Sequence, residues 1–256
     1  MRSVQDLLAG LIPPGAAACA SAATVAHEQG GPAALPEEAG LVGPELSPRR
    51  FQSLLARDCA RTALARIGVR PVAIPRGPTG APVWPDGVVG SLTHTTGLQA
   101  AVVGPRSVYA GLGIDVEPCH RLRPGVARTF AAPVELAGAA EVLGDAGPLA
   151  VFCAKEAAFK AWFPSTGAWM SMTDVTVAFT PDGTFDVRVR ARGASPDRAT
   201  VLVGGRAAVR DGFVVAVAER VSRVLDSSSL GTVFHPASAA GPSQDLRGAD
   251  VPASAS

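Results

Sequence analysis

The feature that most constrains this chain is the stretch Gly111-Leu112-Gly113-Ile114-Asp115-Val116-Glu117-Pro118. Leu112, Ile114 and Val116 alternate with Gly111, Gly113, Asp115 and Glu117, and a period of two predicts a strand with one apolar face. The opposite face is bare backbone at the two glycines and then carries two carboxylates. Glycine at such positions lets a bulky group approach the main chain. Carboxylates at i and i+2 offer hard oxygen ligands of the kind Mg2+ takes together with phosphate oxygens and water. An ordinary half-exposed strand whose acids face water is spelled the same way, so this motif alone does not decide a function.

A second stretch, Val151-Phe152-Cys153-Ala154-Lys155-Glu156-Ala157-Ala158-Phe159-Lys160-Ala161-Trp162-Phe163-Pro164, is rich in Ala, Lys and Glu and ends at a proline, which predicts a helix closing near Trp162 or Phe163. Glu156 and Lys160 then share one face. A surface ion pair at that spacing, worth about 0.2–0.5 kcal/mol, is the plain account. The distribution of bases argues for more. Of 23 Lys and Arg residues only two are Lys, at 155 and 160. A chain that uses Arg almost everywhere keeps compact ammonium groups only beside Glu156, where a planar guanidinium would not serve.

In this order and separation, G-I-D-V-E and F-x-x-K-E-A-x-x-K resemble the signature of the 4'-phosphopantetheinyl transferases of the Sfp-like class. Upstream, Arg49-Arg50-Phe51, Ala60-Arg61, Gly80-Ala81-Pro82-Val83-Trp84-Pro85 and Gly90-Ser91-Leu92-Thr93-His94 resemble the enterobactin-synthetase component D branch. The resemblance covers roughly residues 10 to 220. It implies an α+β fold of two similar halves related by a pseudo-twofold, with mainly antiparallel sheets and an active-site cleft between them. It also implies a holo-[acyl-carrier-protein] synthase-type reaction. The serine of an apo acyl or peptidyl carrier protein attacks the β-phosphorus of coenzyme A and releases 3',5'-adenosine bisphosphate.

Residue by residue, the resemblance assigns a metal, Mg2+ or Mn2+, to Asp115, Glu117 and Glu156. It gives catalytic roles to Glu156, Lys160 and Asp115, with Glu156 as a base acting directly or through a water. Lys155 and Lys160 are expected on phosphate oxygens. The coenzyme's 3'-phosphate is expected near His94 and the arginines Arg50, Arg57 and Arg61, with Thr93 also on phosphate; both Thr93 and His94 can donate hydrogen bonds to it. Glu135 stands where the family has a recurrent acid. One departure matters: Sfp-type relatives place Lys where this chain has Ala81, so Arg76 or the helix arginines are expected to supply that charge. The carrier partner is expected to be acidic, with Trp162, Phe163 and Trp169 as docking elements or as core. A monomer is usual in the class.

Other readings use the same residues. A Mg2+-dependent phosphohydrolase would employ Asp115, Glu117 and Glu156, and a non-catalytic coenzyme A-binding protein would keep them as well. Fatty-acid, polyketide, nonribosomal peptide and siderophore carriers all fit.

At 256 residues the chain can bury a sizeable core. A net charge of +1 argues against broad nucleic-acid binding. Cys19, Cys59, Cys119 and Cys153 are too dispersed for a Cys-x-x-Cys metal site and suggest no disulfide framework, which favours a reducing cytoplasm. The apolar run after Asp6 is short and ends at Pro13-Pro14, so it fails as a signal peptide, and no run approaches the roughly 20 apolar residues of a membrane span.

Ser47-Pro48 predicts a helix start and Gly68 its stop, with Phe51, Leu55, Cys59 and Ala63 as the core stripe and Arg50, Arg57 and Arg61 near one another on another face. Such a basic face is otherwise an ordinary solvated one. Strands are predicted through Val88 to His94, at 99–103 and at 108–117, the last two as neighbours. A helix is predicted from Pro133 to Leu143, closed by Gly144. Strands follow at Val175–Phe179, Phe185–Val189, Ala199–Val203 and Ala207–Ala218, the last broken at Asp211-Gly212. The expected division is an N-terminal coenzyme-binding half at 1–107, a metal-binding half at 108–225 and a disordered tail at 226–256, where Ser, Ala, Gly and Pro leave little to bury.

Overall fold

The structure is a computed structural model describing residues 4–22, 34–38, 47–123, 125–189 and 201–222; the expected tail at 226–256 lies outside them. It is α+β, with two antiparallel sheets. Helix α1 spans Pro48–Arg66, and the Ser47 hydroxyl caps it by accepting the Arg50 backbone N–H at 3.2 Å. Leu55, Cys59 and Ala63 are buried along it, joined by Ala56, Ala60 and Leu64.

Beneath α1 lies a three-stranded sheet ordered β1-β3-β2, from β1 (Ala17–Ser21), β2 (Val88–Thr95) and β3 (Leu98–Pro105). Strand β1 is illegible in the sequence because its Ala and Cys residues lack the β-branched signal. Pairing decides it, with Cys19 opposite Ala101. Cys19, Cys59, Ala60, Leu64, Val88, Ala101 and Val103 form the core between this sheet and α1.

The second sheet is ordered β4-β8-β7-β6-β5, from β4 (Tyr109–Pro118), β5 (Val175–Phe179), β6 (Thr184–Val189), β7 (Val201–Arg210) and β8 (Phe213–Val221). Two expectations are corrected here. Strands β3 and β4 follow one another but are not neighbours in a sheet, because β4 pairs with β8, Asp115 standing opposite Ala216. The reason is that β4 buries both faces. Leu112, Ile114 and Val116 join Ala100, Val102, Val215 and Val217 in a core shared by the two sheets, while the glycine face meets a helix. The segments read as Ala199–Val203 and Ala207 onward are, over the described residues, one strand, β7, through Gly204-Gly205. A Cβ on Gly205 would lie 2.4 Å from the Phe185 ring, so the glycine makes room for that ring.

Helix α2 runs Pro133–Leu143 and α3 runs Gly147–Thr166. Helix α3 is longer than expected and carries Pro164 in its last turn. The turn survives because the Ser165 and Thr166 hydroxyls each donate to the Trp162 carbonyl at 3.0 Å, and Gly167 at φ +66° ends the helix. Together α2 and α3 are long and apolar enough to cross a membrane by composition. Their apolar residues instead pack on the second sheet: Ala139, Ala150, Val151, Ala154, Ala157, Ala158, Ala161 and Trp162 share one core with Val177, Val187, Leu202, Val214, Ala216 and Ala218.

Candidate active site

The site begins with the contact between β4 and α3. A Cβ on Gly111 would lie 1.9 Å from the Ala161 carbonyl oxygen, and one on Gly113 1.8 Å from that of Ala157. The bulky group that the glycines admit is therefore α3 itself. With the helix seated that closely, Lys160 Nζ lies 2.7 Å from Asp115 Oδ1 and donates to the Ile114 carbonyl at 3.0 Å. Asp115 is fully buried and Lys160 keeps about a fifth of its side chain exposed. The Thr93 hydroxyl donates to Asp115 Oδ1 at 3.4 Å, joining the edge strands of the two sheets. Asp115 Oδ2 is buried with no hydrogen-bond partner among the described residues.

Cys153, one turn before Glu156 on α3, is a member of this group that the sequence does not single out. Burial, followed by the charges of Asp115 and Glu117 and a hydrogen bond to Asp115, pushes its thiol well above the ordinary range, with Lys160 opposing. It stays protonated beneath the carboxylates. Its spacing of seven from Lys160 was the available signal. Glu117 follows Asp115 on the helix side of β4, and both Glu117 and Glu156 are half-buried.

Lys155 stands elsewhere. It is 1% exposed, 2.8 Å from Glu135 Oε1, and its ammonium donates to the carbonyls of Phe130, Met172 and Val175. Five residues carry a helix about 140° beyond a full turn, so when Lys160 addresses β4, Lys155 turns into the interior and away from the place expected of a phosphate ligand.

The arginine face is likewise tied into the fold. Arg57 is buried; its Nε donates to the Ile74 carbonyl at 2.7 Å and its Nη1 to the Ser53 hydroxyl at 2.6 Å. Arg61 bridges the buried Glu38 at 2.8 Å and Asp58 at 2.6 Å. Burial pushes the Arg57 guanidinium down to about 10, with Glu38 opposing and Arg61 and Arg76 adding to the shift. Arg57 thus feels the charges of Glu38, Arg61 and Arg76, and Arg61 pairs directly with Glu38. Arg50 is half-buried in the first turn of α1. Arg76 is exposed, and its guanidinium lies over Gly80, where a Cβ would sit 3.2 Å from it. Thr93 and His94 diverge, as consecutive strand residues must. Thr93 turns to Asp115, while His94 follows Val88 and Leu92 on the α1 side. Trp162 is core at 1% exposed; Trp169 is 53% exposed and packs edge-on against Phe159 and Phe163.

Residues 37–104 match the model of the 4'-phosphopantetheinyl transferase N-terminal domain, and residues 111–218 that of the 4'-phosphopantetheinyl transferase superfamily. The chain is 38% identical over 192 residues to the 4'-phosphopantetheinyl transferase Npt of Nocardia iowensis, covering 70% of this chain and 86% of that protein. The chain belongs to the 4'-phosphopantetheinyl transferase superfamily. It is also 43% identical over 152 residues to the 4'-phosphopantetheinyl transferase PptT of Mycobacterium tuberculosis, covering 59% of this chain and 67% of that protein. To the 4'-phosphopantetheinyl transferase Svp of Streptomyces mobaraensis it is 41% identical over 183 residues, covering 70% and 71%.

Transferases of this family use coenzyme A and generally a divalent metal. Among the described residues no group of three or more His, Cys, Asp or Glu side chains is gathered as a metal cage. Mg2+ does not require one, since it usually takes one or two carboxylates and completes its shell with waters and substrate phosphates. A buried carboxylate oxygen without a donor is costly unless a cation meets it, so Asp115 Oδ2 fits that role.

Proposed function

We infer that this transferase moves the phosphopantetheine arm of coenzyme A to the serine of an apo acyl or peptidyl carrier protein, releasing 3',5'-adenosine bisphosphate, in a holo-[acyl-carrier-protein] synthase-type reaction. The observation that carries the reading is the Asp115–Lys160 pair. Helix α3 seats an ammonium on Asp115 Oδ1, while Oδ2 is buried with no hydrogen-bond partner among the described residues, inside the stretch matched by the superfamily.

In this reading Asp115 and Glu117, with Glu156 across from them on α3, hold Mg2+, or Mn2+ in its place. The metal supplies charge neutralisation on the pyrophosphate, the main need of phosphoryl transfer. Lys160 is held by Asp115 and Ile114 at the floor of the site and places its charge beside the phosphate oxygens. Thr93 fixes Asp115 and offers its hydroxyl at the sheet junction. Glu156 takes the carrier serine's proton, directly or through a water. His94, Arg50, Arg57, Arg61 and Arg76 receive the 3'-phosphate. Arg76, folded over Gly80, supplies the charge that Ala81 lacks. The division into halves at 1–107 and 108–225 then reads as a nucleotide side and a metal side. The exposed Trp169, backed by Phe159 and Phe163, is the apolar part of a docking surface for an acidic carrier. A cytoplasmic monomer acting on nonribosomal peptide, polyketide or siderophore carriers fits this chemistry.

Intact-mass spectrometry of apo acyl and peptidyl carrier domains, incubated with the transferase, coenzyme A and Mg2+, tests the reading. A metal-dependent gain of one phosphopantetheine arm, lost in Glu156→Ala, supports it. Coenzyme cleavage without carrier modification would favour a phosphohydrolase, and binding without either product a non-catalytic protein.

A further inference from the structure

We propose that Lys155 and Glu135 form a buried pin that sets the positions of Glu117 and Glu156, a positioning role in the transfer and not a contact to phosphate. This inference rests on the functional reading above. An ammonium has three N–H groups. Here they face the carbonyls of Phe130 at 2.8 Å, Met172 at 2.8 Å and Val175 at 3.0 Å, with Glu135 Oε1 at 2.8 Å, all in the interior. No proton is left for a substrate. Glu135 in turn accepts the Ala132 N–H on Oε2 and the Val177 N–H on Oε1, each at 2.8 Å.

What this pair joins is informative. Phe130 and Ala132 end the segment that leaves β4 just after Glu117. Lys155 immediately precedes Glu156 on α3, and Met172 lies in the segment that carries Trp169. The rotation of α3 and the path of the chain leaving Glu117 are therefore held by one ion pair. A buried pair is poor value for stability alone, since well-packed apolar residues of similar size often do as well. It does select one arrangement, because its protons and lone pairs are satisfied only when three carbonyls and two amides from separate segments converge. The sequence signal, a Lys directly before Glu156, was read as a phosphate ligand because sequence order does not show which way a helical side chain turns.

The test compares Glu135→Gln, Lys155→Met and the double variant Lys155→Met/Glu135→Leu, which removes both charges together. Hydrogen–deuterium exchange is measured first on each protein alone, without coenzyme, metal or carrier. The expected result is exchange over residues 118–132 faster by about tenfold in Glu135→Gln, which keeps the shape and loses the charge. Coenzyme A affinity, measured by calorimetry without carrier, stays within about twofold, while kcat falls at least about fivefold and the Mg2+ concentration for half-activity rises. Exchange and metal response unchanged in the folded variants would overturn the proposal. So would coenzyme affinity weakened about tenfold in Lys155→Met with Glu135→Gln silent, because that pattern marks a phosphate contact. If the unaltered protein modifies no carrier, the functional reading falls, while the exchange data still judge whether the pin holds residues 118–132.

Discussion

Lys160 Nζ lies 2.7 Å from Asp115 Oδ1, linking the middle of α3 to β4, the strand whose Leu112, Ile114 and Val116 sit in the core shared by the two sheets. The close backbone contact at Gly113 seats α3 on β4 so that a single ammonium reaches both Asp115 Oδ1 and the Ile114 carbonyl, a point contact that a planar fork does not reproduce. Lys160→Arg is therefore expected to lower kcat by at least about tenfold while Lys160→Met lowers it further, measured as carrier modification under saturating coenzyme. Full activity in Lys160→Arg would remove the argument that a compact ammonium is required.

Gly113 and Gly138 make a matched pair for the helix–strand contact. A Cβ at Gly113 would stand 1.8 Å from the Ala157 carbonyl, whereas one at Gly138, inside α2, meets nothing within 4 Å. Gly113→Ala is expected to cost about 3 kcal/mol or more, since α3 must lift from β4. Gly138→Ala is expected to gain about 0.5–1 kcal/mol from helix propensity. Chemical denaturation of the two variants checks both signs.

The arginines separate by burial. Arg76 is exposed and Arg57 is bonded inside. Arg76→Ala is expected to raise the KM for coenzyme A about fivefold with an unchanged Tm, while Arg57→Ala lowers stability by about 1.5–3 kcal/mol through its lost charged hydrogen bonds. An unchanged KM in Arg76→Ala would mean that the charge missing at Ala81 is supplied by another residue.

Alkaline pH exposes the buried thiols. A hydrogen bond with Cys19, and then burial, push the Cys59 thiol far above its ordinary range. Below about pH 8.5 the folded and unfolded chains both hold this proton. Above that the unfolded chain releases it and the folded one keeps it, so stability falls with rising pH by about 1.4 kcal/mol per unit for each such thiol. Between pH 9 and pH 10.5, Cys59→Ala should show a shallower fall by about that amount, read from denaturation midpoints. Parallel slopes would show that Cys59 titrates in the fold as it does in the unfolded chain.

Much of this protein is written locally. The period of two in 111–118, the Ser47 cap, the Pro133 start and the Gly144 stop each act within a few residues, and the elements form where those signals stand. The acids on β4 and the Glu156–Lys160 spacing on α3 were legible for the same reason. What tertiary structure alone decided are relations between segments distant in sequence. The pairing of β4 with β8 and not β3 follows from burying both faces of one strand. Strand β1 exists because β3 offers it an edge. Lys155 and Lys160, five residues apart and chemically identical, part company because one turns toward Glu135 and the other toward Asp115. Periodicity names the faces of a helix, but only the packing of α3 against glycine-bared β4 determines which face meets the site.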